Sequence, residues 1–125
     1  MKQFPLPAAN RLKLRDQIDQ LFATGHSVKV YPIRCTYRRA EHSAVMVSVP
    51  KKMFRHAVDR NFLKRRMREA YRLNSSMVAG MNLHLAFHYI ASERLSYSEI
   101  EKAIQEIIAR LAAQPIIVNN DEVDA

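Results

Sequence analysis

Between Lys51 and Arg72 the chain reads KKMFRHAVDRNFLKRRMREAYR. From Arg60 onward this stretch carries six cations, Arg60, Lys64, Arg65, Arg66, Arg68 and Arg72, against one acid, Glu69. The chemistry open to such a set is anion binding. A guanidinium is planar, permanently charged and able to grip two phosphate oxygens at once. The spacing is helical: at about 100° per residue, Arg60, Asn61, Lys64, Arg65, Arg68 and Arg72 fall within an arc of roughly 140°. Leu63, Met67 and Ala70 fall on the opposite side, with Tyr71 at the border, so one face packs and the other presents charge. Arg66 and Phe62 lie outside both arcs.

Most charge runs on helices are solvated surface of mixed sign. Here Arg60, Lys64 and Arg68 repeat at i, i+4 and i+8, and like charges so placed repel by a few tenths of a kcal/mol per pair. A row of that kind points to an anionic partner. A membrane surface would call for Leu, Trp or Phe bordering an exposed apolar face, whereas the apolar side of this helix is modest and needed for packing. Nucleic acid is the better fit. Phosphate contacts of this type give affinity and position without sequence information. Asn61, between the arginines, is suited to a base edge, a 2′-OH or a phosphate, or else to holding its neighbours in place.

Composition agrees. The 125 residues carry a formal charge of +8 and a sequence pI of about 10.0, a balance that favours polyanionic partners. The length suits one domain, and 48% apolar residues suffice for a core. No stretch approaches the ~18 apolar residues of a spanning helix, and the N-terminus lacks a signal-peptide pattern, so a cytoplasmic location is expected. Cys35 is the single cysteine. It reads as a small buried residue on a strand, since no His or Asp pattern marks it as a nucleophile. There is no acidic cluster for a metal, no H-E-x-x-H and no phosphate-cradling glycine loop. Catalytic residues: none are assigned.

The elements that must position the basic stretch follow from periodicity. Met1–Ala9 is a lead-in with Pro5 and Pro7. Leu14, Ile18, Leu21 and Phe22 form the apolar face of a short helix, with Asn10 as N-cap and Gly25 as the stop. From Val28 to Arg38 the period is two: Tyr31, Ile33, Cys35 and Tyr37 alternate with Pro32, Arg34 and Thr36, as in one strand with one buried face and Pro32 at an edge or start. Val45, Val47 and Val49 mark a second strand ended by Pro50. The basic helix begins near His56 or Ala57 and ends at Asn74–Ser76. Met81–Tyr89 is another strand, on which His84 and His88 read as exposed side chains rather than metal ligands. Ser96 and Glu99 form a capping box opening the last helix, whose stripe is Ile100, Ile104, Ile107, Ile108 and Leu111. Pro115 closes the ordered domain, placed at residues 10–114, and the acidic tail, 115–125, is expected to be disordered.

The paired lysines Lys51-Lys52, then Ala57-Val58, Arg60-Asn61, Lys64-Arg65, Arg68-Glu69-Ala70 and Arg72 together resemble the bacterial ribonuclease P protein component. Asn10-Arg11-Leu12-Lys13 with Phe22 and Gly25, and Leu95-Ser96-Tyr97, extend the resemblance over roughly Asn10 to Ala112. It implies a single α+β domain, α-β-β-β-α-β-α, with a four-stranded sheet packed by helices, a ribosomal protein S5 domain 2-like fold. The third strand before the basic helix comes from the resemblance alone, as does a left-handed crossover around that helix.

The function implied is that of the small protein subunit of a ribozyme that removes 5′ leaders from precursor tRNA. The catalytic RNA and precursor tRNA are the implied partners, with no membrane and no obligate protein partner. Mg²⁺ is expected mainly through the RNA, and any metal site on the protein is unknown. By position, Lys51, Lys52, Arg60, Asn61, Lys64, Arg65, Arg68 and Arg72 become RNA-binding candidates. Phe22, with Tyr37 or Tyr31, becomes the lining of a leader groove between the first helix and the sheet. Two residues depart from the family pattern: Phe62 stands where a second arginine usually follows Arg-Asn, and Ile18 where an aromatic is frequent. The alternative is a general structured-RNA-binding or ribosome-associated protein without a processing role, and a metal-dependent nuclease acting alone is the least favoured reading.

Overall fold

The structure is a computed structural model describing residues 15–78 and 80–113. The expected lead-in, the Asn10 cap, Leu14 and the acidic tail lie outside the described residues. The elements run α1 (Arg15–Thr24), β1 (His26–Val30), β2 (Ile33–Arg39), β3 (Ala44–Ser48), α2 (Ala57–Asn74), a 3-10 turn (Ser75–Val78), β4 (Leu83–Tyr89) and α3 (Tyr97–Ala113). They build a single α+β unit around a four-stranded sheet of order β1-β2-β4-β3. β1–β2 and β2–β4 are antiparallel, and β3–β4 are parallel. A parallel pair needs a long crossover, and α2 provides it.

The stretch expected as one strand, Val28–Arg38, is two. The chain turns at Tyr31-Pro32, through a cis peptide bond, and Val30 pairs back onto Ile33. This hairpin supplies the third strand before the basic helix. Strand alternation then sorts the side chains. Ile33, Cys35 and Tyr37 of β2, Val45 and Val47 of β3, and Leu83, Leu85, Phe87 and Tyr89 of β4 join the main core. They pack with Leu63, Met67, Ala70 and Tyr71 of α2 and the whole apolar stripe of α3. Cys35 is fully buried there, and burial pushes its thiol far above the ordinary range.

The other face of the sheet is covered by α1. Leu21 packs with Ala44 and Ala86, bordered by Ile18 and Met46. β4 is therefore buried on both sides, which corrects the reading of its histidines as exposed: His84 is only 3% accessible and His88 is half-buried. The stop after α1 is steric. Gly25 N donates to Leu21 O at 2.8 Å, and a Cβ at Gly25 would lie 2.9 Å from the Tyr37 carbonyl oxygen and closer still to that of Leu21. Only glycine lets α1 approach β2 so closely.

The start of α3 carries the capping box. Glu99 N donates to Ser96 Oγ and Ser96 N donates to Glu99 Oε1, both at 3.2 Å. The Tyr89 hydroxyl ties down the preceding loop, donating to Glu93 O at 2.6 Å and accepting from Leu95 N at 3.0 Å.

Candidate nucleic-acid interface

α2 sits against the sheet through Leu63, Met67, Ala70 and Tyr71, all buried, and this fixes where its cations point. Asn61 and Arg65 are exposed, and Lys64 and Arg68 are half-buried. Lys51 and Lys52 are exposed on the turn that leads from β3 into α2. The structure thus brings all eight candidate RNA-binding residues onto one helix and its entry loop.

Arg60 and Arg72 are among those that make contacts within the protein. Arg60 lies at the end of the cationic arc nearest the buried stripe, and its Nη1 donates to the carbonyl oxygens of Phe54 at 2.8 Å and Arg55 at 3.0 Å. Phe54 is itself buried, its ring 5.7 Å from that of Tyr89. The guanidinium and the ring together hold the Lys51–Arg55 turn against the helix. Arg72 pairs bidentately with Glu69, Nε to Oε1 at 3.1 Å and Nη2 to Oε2 at 2.8 Å. The hydrogen bond from Arg72 is the main reason that the Glu69 carboxyl ionises below the usual carboxylate range. The acid in the stretch therefore offsets the cation at its far end.

Phe62 has its own place. The guanidinium carbons of Arg66 and Arg94 lie 4.1 Å and 4.2 Å from its ring centroid, and Arg94 also pairs with Asp59 at 3.0 Å. The aromatic ring gathers two cations at the seam between α2 and the loop before α3. Arg66, outside the main arc on the helical wheel, is turned toward Tyr97 of α3.

A second basic surface lies on the opposite side of the sheet, beside α1. Phe22 is 47% exposed, and its ring centroid is 5.3 Å from that of His88. Alternation places Arg34, Thr36 and Arg38 of β2 on this same face. Burial and the neighbouring Arg34 charge hold the His88 imidazole below its ordinary range. Of the three groove candidates, Phe22 lies on the α1 face and the other two do not. Tyr37 points into the main core, 6% exposed. Tyr31 stands in the β1–β2 turn, 63% exposed, lining a cleft of about 300 Å³ with Leu95 and Lys102 of the α3 side. Parity places Tyr37, since odd-numbered residues of β2 face α2 and α3 and even-numbered ones face the α1 side, whereas Tyr31 precedes β2. The period-two pattern contained that information once a helix was known to cover each face.

Comparison with known proteins agrees with this architecture. The family model described as Ribonuclease P matches residues 6–112. A ribonuclease P protein component of Porphyromonas gingivalis is 39% identical over 120 residues, covering 87% of this chain and 88% of that protein. One from Nitrosococcus oceani is 33% identical over 85 residues, 66% of this chain and 71% of that protein. Among solved structures, the ribonuclease P protein of Staphylococcus aureus aligns with a TM-score of 0.70 at 21% identity, covering 83% of this chain and 95% of that one. The ribonuclease P protein of Thermotoga maritima aligns at 0.71 and 23%, covering 80% and 96%. With the family model spanning nearly the whole described fold and a relative near two-fifths identical along most of its length, the chain belongs to the family of ribonuclease P protein components.

Proposed function

We propose that the chain acts in ribonuclease P by docking the catalytic RNA on α2 and its entry loop while the α1 face of the sheet guides the 5′ leader of precursor tRNA. The observation that carries this reading is the geometry of α2. Its buried stripe leaves Asn61, Lys64, Arg65 and Arg68 on the outer face, and Arg60 ties the entry turn that carries Lys51 and Lys52 to the helix. Such a surface binds a folded RNA through phosphates, with affinity that depends steeply on salt. Phe22 beside His88 offers a stacking platform next to cationic side chains, the combination that suits a single strand. The protein's part is positioning and charge neutralisation. Leader hydrolysis itself, with Mg²⁺ held mainly by the RNA, belongs to the RNA subunit.

Reconstitution tests the proposal. The full chain added to a bacterial ribonuclease P RNA at low Mg²⁺ should restore removal of the 5′ leader from precursor tRNA. A protein that binds the RNA without restoring cleavage would contradict it.

A further inference from the structure

A cavity of about 380 Å³ lies in the seam between α2 and the start of α3, lined by Phe62, Arg65, Arg66, Glu69 and Tyr97. It belongs to the α2–α3 side of the sheet, away from α1. Arg65, exposed on the outer face of α2, forms part of its wall. Its size falls within the range of clefts that hold a small ring-bearing ligand.

Two spare donors meet at this cavity. The Arg66 Nε and the Tyr97 hydroxyl are buried, and neither has a hydrogen-bond partner among the described residues. Native interiors seldom leave such groups unmatched, and here both belong to the wall of one cavity. Glu69, the acid in the same wall, already accepts from Arg72 through both oxygens. Burial first, then the Glu101 and Glu69 charges, holds the Tyr97 phenol above its ordinary range, so the hydroxyl keeps its proton to donate. The complement to such a wall is an acceptor.

The shape narrows the choice. The guanidinium carbon of Arg66 lies 4.1 Å from the Phe62 ring centroid and 6.0 Å from that of Tyr97. Flat groups therefore make up most of the wall. A bare phosphate has little to gain from aromatic walls, whereas a nucleobase stacks on tyrosine and guanidinium planes and presents acceptors at its edge.

We propose that the α2–α3 seam takes one unstacked nucleobase of the RNA docked on α2, its keto oxygen accepting from Arg66 and Tyr97. The inference rests on that docking and goes beyond it, because phosphate contacts carry no sequence information and a base contact does. Small rotations of the two half-buried side chains bring their donors to the cavity wall. Guanine and uracil offer the keto oxygen, while the amino group of adenine would set a donor against donors.

The test titrates the full chain, Tyr97→Phe and Arg66→Lys against a bacterial ribonuclease P RNA over a range of salt, with chemical probing of the guanine and uracil edges in each complex. Tyr97→Phe should weaken binding by roughly three- to tenfold, the loss of one hydrogen bond. It should leave the salt slope unchanged and uncover a base that the unsubstituted chain shields. Urea stability of the RNA-free protein should not fall, because the lost hydroxyl has no partner there. Arg66→Lys keeps the charge and loses the Nε donor, so it should weaken binding and uncover the same base even if Tyr97→Phe does not fold. Unchanged affinity in either folded variant would overturn the proposal. So would a salt slope lowered by about one with no base uncovered, the mark of a phosphate in the seam. A slope lowered by the Lys64→Ala, Arg65→Ala double variant would then leave docking on α2 standing. If that slope also stays unchanged, the docking fails and the seam with it.

Discussion

The Arg60 guanidinium donates to the Phe54 carbonyl oxygen at 2.8 Å, so the first arginine of the basic helix is an internal strut of the fold. Its neighbour contact to the Arg55 carbonyl, at 3.0 Å, closes the same turn. The charge that recommends Arg60 as an RNA contact thus also ties the turn before α2 to the helix.

Substitution should separate the two roles. Arg60→Ala is expected to lower stability by roughly 1–3 kcal/mol in urea unfolding, because hydrogen bonds from a charged donor are lost and two carbonyl groups are left unpaired. Arg60→Lys should restore only part of this, since an ammonium cannot reproduce the planar fork across two carbonyls.

Phe62→Leu should cost ~1–2 kcal/mol, the sum of two exposed cation–π contacts. Urea unfolding of this variant, compared with Arg94→Ala in the same background, checks whether the loss is shared. The double variant should be less destabilised than the sum of the singles.

Gly25→Ala is expected to destabilise the protein by more than about 1 kcal/mol, because the added methyl meets backbone carbonyls rather than flexible side chains. The displaced α1 should weaken binding of leader-bearing precursor tRNA more than that of mature tRNA. Equal weakening of both would separate the α1 face from leader binding.

Acid should loosen the α1 face. His84 is held below its ordinary imidazole range by burial first, then by Arg38 and His42. His88 is lowered by burial and Arg34. A depressed folded pKa means that the unfolded chain takes up these protons first. Stability is therefore full above the ordinary imidazole value, falls as pH drops through it, and stops falling once pH is below the folded values. Unfolding midpoints measured across this range should show the fall, and His88→Gln should reduce it.

Much of this was legible in the residues. The α2 boundaries, the Ser96–Glu99 box, the isoleucine stripe and the valine strand β3 all follow from spacing, because each rests on local pattern and on one buried face. The β1–β2 hairpin did not show, since the chain turns at Tyr31-Pro32 inside an unbroken alternation, without the Asn-Gly or Gly that usually marks such a turn. His84 looked exposed because its burial comes from α1, an element distant in sequence. Tyr37 was read as facing the first helix for the same reason, and only the packing of α2 and α3 on the odd-numbered side shows that it belongs to the main core. The partners of Arg60 and Arg72 are details of side-chain reach that charge counting cannot supply.

The central claim is that the outer face of α2 meets the catalytic RNA through phosphates, and its most direct test is the salt dependence of that binding. The slope of log K against log salt should fall by about two in magnitude for the Lys64→Ala, Arg65→Ala double variant, one phosphate contact for each cation, with the fold unchanged. A slope equal to that of the unsubstituted protein would contradict the assignment of this face.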